Sequence, residues 1–154
     1  MMRIKLICIG KIKENYLADG IRDFAGQIGK NVILEIIELP DEKTPQGASL
    51  VMENKIREIE GDKILQKIDP KDHVFALCIE GRQLSTAQLK KRMKSLKEQG
   101  VESLVFIIGG SLGLSPNVIR RAKDKISFSA MTFPHQLMRL ILLEQLSKVL
   151  PNLR

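Results

Sequence analysis

Hydrophobic residues in this chain occur in two patterns that alternate along its length. Short, nearly continuous runs rich in β-branched residues are typical of strands buried on both faces. Such runs predict five strands, the last of them weak, at residues 3–9, 32–39, 73–80, 103–109 and 125–130. Between the runs, apolar residues recur every three or four positions, a spacing that predicts helices. These helices cover residues 15–28, 50–68, 85–99, a short stretch from 116, and a last segment from about 135.

The regular alternation of strands and helices indicates the fold class. Parallel strands joined by helices form a sheet that is covered on both faces. No repeat, low-complexity segment or linker divides the 154 residues, a length close to that of one ordinary domain. We therefore expect a single α/β domain over residues 1–154, with a mainly parallel sheet and helices on both faces.

Composition and charge narrow the choice of compartment and partner. Hydrophobic residues make up 44% and charged residues 28% of the chain, values typical of soluble globular proteins. The first apolar run is too short for a signal peptide, and no stretch is long enough to span a bilayer. We therefore expect a cytoplasmic protein without a membrane partner. With 25 Lys and Arg against 18 Asp and Glu, the net charge of +7 favours polyanionic partners.

Cysteines and basic residues each have a structural as well as a functional interpretation. Cys8 and Cys78 lie inside apolar runs, so we expect buried free thiols and no bound metal. One Tyr and no Trp disfavour base-stacking RNA modules. The third helix carries a basic cluster that is either a solvated surface or a contact site for RNA. Further candidates for RNA contact are Arg120, Arg121 and Lys123. The cluster comprises Lys90, Lys91, Arg92, Lys94 and Lys97.

The stretch "FIIGGSLGLSP" (106–116) joins a strand to a helix through three glycines. Ser115 followed by Pro116 predicts the helix start, with a hydroxyl N-cap and a proline at the first helical position. The glycines are required either for a tight turn or for close approach of the backbone to a ligand. Neither the dinucleotide fingerprint nor the P-loop pattern is present, so a ligand here would be held by backbone and small side chains.

A nucleophile elbow is a further interpretation of the same loop. "GGSLG" matches G-x-S-x-G, with Ser111 as nucleophile and Asp124 and His135 following in hydrolase order. An elbow serine starts its helix directly, whereas the capping residues here place the helix start four residues later. A serine hydrolase therefore stays a minor alternative.

Three strand ends would share one rim of a parallel sheet, and together they predict a pocket. They are "ALCIEG" (76–81), the glycine loop, and "SFSAMTFPHQLMR" (127–139). The pocket would have apolar walls and a floor of backbone amides, with His135 and Arg139 at its rim. Its apolar wall residues are Leu77, Phe128, Met131 and Phe133. His73, which begins a strand, is expected to be structural.

Taken together, "IKLICIGKIKENY", "LCIEG", "FIIGGSLGLSP" and "ISFSAMTFPHQLMRLILLEQL" resemble the RlmH family, the ribosomal RNA large subunit methyltransferases H of the SPOUT superfamily. The resemblance covers about residues 2–146. It implies a trefoil knot at the C-terminal end, S-adenosylmethionine as methyl donor, and a homodimer. It also implies methylation of N3 of a pseudouridine in helix 69 of 23S rRNA in the assembled 70S ribosome, with no role for DNA.

Residue roles follow from the same resemblance. With the resemblance, His135 is expected near cofactor or RNA, and Arg139 either contacts RNA phosphate or shapes the pocket; we take both as candidate catalytic residues. The resemblance assigns eight residues to cofactor binding. These are Leu77, Gly109, Phe128, Ser129, Ala130, Met131, Thr132 and Phe133. The last helix is apolar over more than one stripe, so part of it is expected to pack on the second subunit.

The chain departs from the family pattern at its end, from about residue 147. Family members normally continue through a Tyr-Arg-Ala-like stretch to a terminal Pro-Tyr-His, whereas this chain reads "EQLSKVLPNLR". A shifted reading frame and a natural loss both account for such a change. Because we expect the tail to lie on the RNA-facing side, we predict near-normal cofactor binding with strongly reduced methylation. A ribosome-binding domain without turnover is therefore the alternative function.

Overall fold

In the computed structural model, which describes residues 2–29 and 32–153, strands and helices alternate along the whole chain. The strands are β1 (Met2–Ile9), β2 (Val32–Leu39), β3 (His73–Gln83), β4 (Ser103–Ile108) and β5 (Asp124–Ser127). The helices are α1 (Asn15–Gly26), α2 (Leu50–Leu65), α3 (Thr86–Glu98), α4 (Pro116–Arg121) and α5 (His135–Val149), followed by a 3₁₀ turn (Leu150–Asn152). Every predicted element is present, although several ends differ by a few residues.

The five strands form one sheet in the order β2-β1-β4-β3-β5, and every neighbouring pair is parallel. The prediction of an α/β domain with a parallel sheet is therefore confirmed. β3 is longer than predicted because its last residues pair again with β5 after a register shift. The implied trefoil knot stays a prediction.

Helices cover both faces of the sheet, as predicted. Alternate residues of each strand point to opposite faces, so Leu6 and Phe106 pack beneath α1, α3 and α5. Their neighbours Ile7 and Ile107 pack beneath α2 and α4. On the first face, Phe106 stacks against Phe75 with ring centroids 4.7 Å apart. The strands therefore read as continuous apolar runs because both faces are buried.

Serine caps start the helices where the sequence predicts them. Ser85 accepts a hydrogen bond from the backbone N–H of Gln88, and the Gln88 side chain accepts one from the N–H of Ser85. This reciprocal arrangement is a capping box. Ser115 likewise caps α4, with Pro116 at the first helical position. The glycine loop therefore spans the residues between the end of β4 at Ile108 and the start of α4 at Pro116.

The last helix packs more tightly within its own subunit than its sequence suggested. Leu142, Leu143 and Leu146 are fully buried in the core of the first face. Leu140, expected on the excess apolar stripe, packs against Gly20 of α1. Part of the apolar surface that we assigned to a partner is therefore covered by α1.

The tail lies at the amino ends of the strands, away from the glycine loop. Leu150 and Leu153 are buried in the same core cluster as Met2, the first residue of β1. The Lys97 ammonium, at the end of α3, donates a hydrogen bond to the Leu153 carbonyl oxygen at 3.1 Å. The expectation that this segment faces the RNA stays a prediction, and the leucines of the segment complete the core at the end of the sheet opposite the glycine loop.

Candidate cofactor and RNA site

An open cleft of about 1190 Å³ lies at the carboxyl ends of β3, β4 and β5. Its floor is formed where Leu77 of β3 pairs with Ile108 of β4 and Ile126 of β5. The glycine loop forms one wall, and the segment from Phe128 to Pro134 forms another. Ligands of α/β proteins bind in this position, beyond the carboxyl ends of parallel strands.

The cleft brings together most of the residues assigned to the cofactor by resemblance. Seven of the eight line it, namely Leu77, Gly109, Phe128, Ser129, Met131, Thr132 and Phe133. Ala130 is exposed and does not line the cleft. Met131, 71% exposed, stands at the cleft mouth. Their roles in cofactor binding stay predictions, but the residues share one site.

The glycine loop is closed by its own contacts. The N–H of Gly113 donates to the carbonyl of Gly110 at 3.0 Å, and Gly113 has a φ of 82°. A Cβ on Gly109 would lie 2.9 Å from Leu114 Cδ2 and 3.0 Å from the Gly113 carbonyl carbon. Both glycines are therefore required by the turn itself. Arg57 of α2 holds the loop from outside by donating to the Leu112 carbonyl oxygen at 3.2 Å.

Serine side chains order the opposite wall. The Ser127 hydroxyl donates to the Ser129 carbonyl oxygen at 2.7 Å, and the Ser129 hydroxyl accepts from the N–H of Met131 at 2.9 Å. Such local bonds replace the strand ladder and hold an irregular segment in one shape. The backbone of this wall is therefore held by its own hydrogen bonds from Ser127 to Met131.

The two residues assigned to catalysis occupy different environments. His135 is half-buried and lines the cleft at the start of α5. Arg139, expected at the rim, is only 1% exposed. Its guanidinium donates to Glu38 Oε2 at 2.6 Å and to the Gly10 carbonyl oxygen at 3.1 Å. The expected rim position of Arg139 is wrong, because the two acceptors draw the side chain into the protein.

Sequence reasoning missed a carboxyl pair behind the glycine loop. Glu60 of α2 is 4% exposed, and one of its oxygens accepts from the N–H of Glu42 at 3.1 Å. The pKa of Glu60 is raised to about 7. Burial is the largest cause, the hydrogen bond from the Glu42 N–H lowers the pKa, and the Asp41 carboxyl raises it. The signal was present, since Glu60 lies between Ile56 and Ile64 on the buried stripe of α2.

The structure rules out a catalytic triad of Ser111, Asp124 and His135. Asp124 begins β5, at the amino end of the sheet, where it pairs with His73 and accepts from Arg92 Nη2 at 2.9 Å. Burial raises the pKa of Asp124, but hydrogen bonds from Arg92 and His73 outweigh it and hold that pKa below its ordinary value. Asp124 therefore cannot orient His135, which lies at the other end of the sheet. The expectation that His73 is structural is confirmed.

The two cysteines also differ from each other. Both are free thiols. Cys8 is fully buried, and burial raises its pKa to about 12. Cys78 is only half-buried and lines the cleft, so the expectation of a buried thiol is wrong for this residue. The pairing of β3 with β5 shifts register between Leu77 and Arg82, the segment that contains Cys78.

Several basic residues have structural partners, which limits where RNA could bind. Arg92 pairs with Asp124, and Arg121 donates to the carbonyl oxygens of Asp69 and Asp72 at 3.0 and 3.1 Å. Arg120 donates to the Asn117 side chain within its own helix, and it is exposed and lines the cleft. Within residues 2–29 and 32–153, no helix is long and apolar enough to cross a membrane.

Comparison with known proteins agrees with this architecture, that of an α/β protein with a ligand cleft at the carboxyl ends of its parallel strands. Residues 2–150 match the family described as predicted SPOUT methyltransferase. Proteins called ribosomal RNA large subunit methyltransferase H are 52% identical in Clostridioides difficile strain 630 and 49% in Streptococcus thermophilus strain CNRZ 1066. Each alignment spans 145 residues, 94% of this chain and 91% of the relative. The chain belongs to the ribosomal RNA large subunit methyltransferase H family of SPOUT methyltransferases.

Proposed function

We propose that this chain transfers the methyl group of S-adenosylmethionine to N3 of a pseudouridine in helix 69 of 23S rRNA, in the assembled ribosome. The observation that carries the proposal is the cleft at the carboxyl ends of β3, β4 and β5. Its walls combine hydrogen-bonded backbone with apolar side chains. The relatives named as ribosomal RNA methyltransferases support this substrate class, and the net charge of +7 suits a polyanion.

The residues of the cleft fit the cofactor. Adenine has apolar faces and polar edges, so Leu77 and Phe133 would pack on its faces while backbone groups of 128–133 meet its edges. The glycine loop offers a wall without bulky side chains. S-adenosylmethionine, when bound, supplies an electrophilic methyl group on a positively charged sulfur. The half-buried side chain of His135 at the mouth is our candidate for accepting the imide proton that N3 must lose.

We test cofactor binding by calorimetry with S-adenosylhomocysteine. Leu77→Ala and Phe133→Ala remove apolar wall contacts and should each weaken binding about 5- to 30-fold, as expected for about 1–2 kcal/mol of lost burial. Ile33→Ala is the matched control, because Ile33 is an exposed residue of the edge strand β2. Equal affinities for all three variants would place the cofactor elsewhere. Gly109→Val should abolish binding, by breaking the turn itself.

Alkylation of Cys78 provides a second measure of occupancy. Iodoacetamide at pH 8.5 should modify Cys78 faster than Cys8: burial raises the pKa of both thiols, but Cys8 is fully buried and its pKa is about 12, whereas Cys78 is only half-buried and lines the cleft. Saturating S-adenosylhomocysteine should slow modification of Cys78 at least several-fold. An unchanged rate would contradict a cofactor in the cleft.

Methylation itself is measured on 70S ribosomes that lack the modification, with radiolabelled donor. A methyl at N3 blocks the pairing edge of the base, so reverse transcription should stop at helix 69. Ribosomes with uridine in place of pseudouridine at that position test the base specificity. Cofactor binding without methyl transfer would instead favour the alternative of a ribosome-binding domain that lacks turnover.

Two lysines on the loop after β1 are our candidates for phosphate contact. Lys11 and Lys13 are exposed and follow Gly10, whose Cβ position lies 3.9 Å from His135 Nε2, and neither lysine side chain has a hydrogen-bond or ion-pair partner among the described residues. Replacing both with Gln should weaken ribosome binding and make it less salt-dependent. Lys67→Gln/Lys71→Gln makes the same charge change at the amino ends of the strands and should have little effect. Equal losses of ribosome affinity in the two double variants would indicate a general charge effect.

A further inference from the structure

An ion pair between a buried arginine and a carboxylate whose side chain is 39% exposed joins the last helix to the ends of two strands. Arg139 of α5 donates to Glu38, near the end of β2, and to the carbonyl oxygen of Gly10, just after β1. Glu38 Oε2 also accepts from the N–H of Ile12 at 3.2 Å. The N–H of Gly10 donates to the Leu39 carbonyl at 2.7 Å. These bonds hold the loop from Gly10 to Ile12 against α5.

This loop lies under the side chain of His135. A Cβ placed on Gly10 would lie 3.9 Å from His135 Nε2 and 3.9 Å from Asp41 Oδ2. His135 precedes Arg139 by four residues, so both side chains project from the same face of α5. The position of the imidazole at the cleft mouth therefore depends on where α5 and the loop meet.

Stability alone does not account for an arginine at this position. The Arg139 Nε is buried and has no hydrogen-bond partner among the described residues. Such an orphaned donor is costly, and burying a guanidinium carries a desolvation cost that a partner with a 39% exposed side chain offsets only in part. A methionine or leucine would fill the space without this cost, but it could not bond both Glu38 and Gly10.

We propose that Arg139 is a positioning residue: it fixes the Gly10–Ile12 loop against α5 and thereby holds His135 at the mouth of the cleft, without touching cofactor or RNA itself. The expected effect of Arg139 on methylation rests on the proposed function, in which His135 accepts a proton. The expected effect of Arg139 on the position of the imidazole is independent of the proposed function.

The test separates the positioning role from a purely structural one. Arg139→Met should lower both stability and methylation. In Arg139→Met/Glu38→Gln no charge is left without its partner, and the amide that replaces the carboxylate can still accept from the N–H of Ile12, so part of the lost stability should return. The rate of methylation in a single turnover should stay about 10- to 100-fold low, because misplacement of a catalytic group by about 1 Å has effects of this size. Affinity for S-adenosylhomocysteine should change less than about 3-fold. Methylation that recovers together with stability would overturn the proposal.

Two further variants sharpen the comparison. Arg139→Lys supplies one point charge in place of a planar fork, so it should recover only part of the rate. Arg92→Met is the matched control, because it breaks an ion pair with Asp124 at the other end of the sheet. It should lower stability and leave the single-turnover rate of the folded protein unchanged. An equal loss of rate in Arg92→Met would mean that any destabilisation suffices, and the proposal would fail.

A crystal structure of Arg139→Met/Glu38→Gln gives a readout that needs no activity. We expect the His135 imidazole to move away from Gly10 by about 1 Å or more. An imidazole that superposes on its original position would refute the positioning role. If the unmodified chain methylates no ribosome, the proposed function fails by itself, and this structure still decides the role of Arg139.

Discussion

Glu60→Gln tests the electrostatics behind the glycine loop through the pH dependence of stability. The Glu60 carboxyl is 4% exposed, and the Asp41 carboxyl lies beside it. Burial and this neighbour disfavour its ionised form, so its pKa is about 7 in the folded protein against 4.5 for an unperturbed Glu. Glutamine is similar in shape and can still accept the hydrogen bond from Glu42, but it has no charge at any pH.

The sign and size of the effect follow from linkage. The folded pKa is raised, so the contribution of Glu60 to stability is fully present below about pH 4.5 and is lost as the pH rises through about 7. At 1.36 kcal/mol per pKa unit, the shift corresponds to a loss of about 3 kcal/mol. The free energy of unfolding of Glu60→Gln, relative to that of the unmodified chain, should therefore rise by about 2–3 kcal/mol between pH 4.5 and pH 8.

Urea unfolding at a series of pH values, at one protein concentration, measures this difference. Glu58→Gln is the matched control, because Glu58 lies on the exposed face of the same helix. The difference in free energy of unfolding between Glu58→Gln and the unmodified chain should stay nearly constant with pH. A difference for Glu60→Gln that also stays within about 0.5 kcal/mol over this range would refute the reasoning, since it would mean that the buried carboxyl ionises normally.

Three other measurements test the remaining structural conclusions. Asp124→Asn should destabilise the protein by about 1–3 kcal/mol at pH 7, because Arg92 and His73 lose a charged acceptor. The pKa of Asp124 is lowered in the folded protein. The contribution of Asp124 to stability is therefore present above its pKa in the unfolded chain and is lost as the pH falls through its folded pKa. Urea unfolding near pH 3 should accordingly show a smaller effect of Asp124→Asn. Leu153→Ser should lower the free energy of unfolding by about 1–3 kcal/mol, because Leu153 is only 8% exposed. Its affinity for S-adenosylhomocysteine should be unchanged, since Leu153 lies at the end of the sheet away from the cleft. Weakened binding in calorimetry would contradict that placement. Light scattering should give twice the 17.4 kDa of one chain at micromolar concentration, and a monomer would count against the homodimer that the family resemblance implies.

The order of elements and the place of the cleft could be predicted from the sequence because both depend on local patterns. β-branched runs make strands, three- and four-residue spacing makes helices, and Ser115 with Pro116 starts α4 where the pattern predicts. Parallel strands bring their carboxyl ends to one edge, so segments around Leu77, Gly109 and Phe128 had to meet there.

The surroundings of the charged side chains were decided only by the tertiary structure. Arg139 was expected at the rim but is buried, because its acceptors lie 101 and 129 residues away in the chain. Asp124 fitted a hydrolase order along the sequence, yet it lies at the opposite end of the sheet from Ser111. Local periodicity determines which face of an element is apolar. Whether a charge on that face is buried depends on the partner that long-range packing brings to it, and periodicity does not encode that partner.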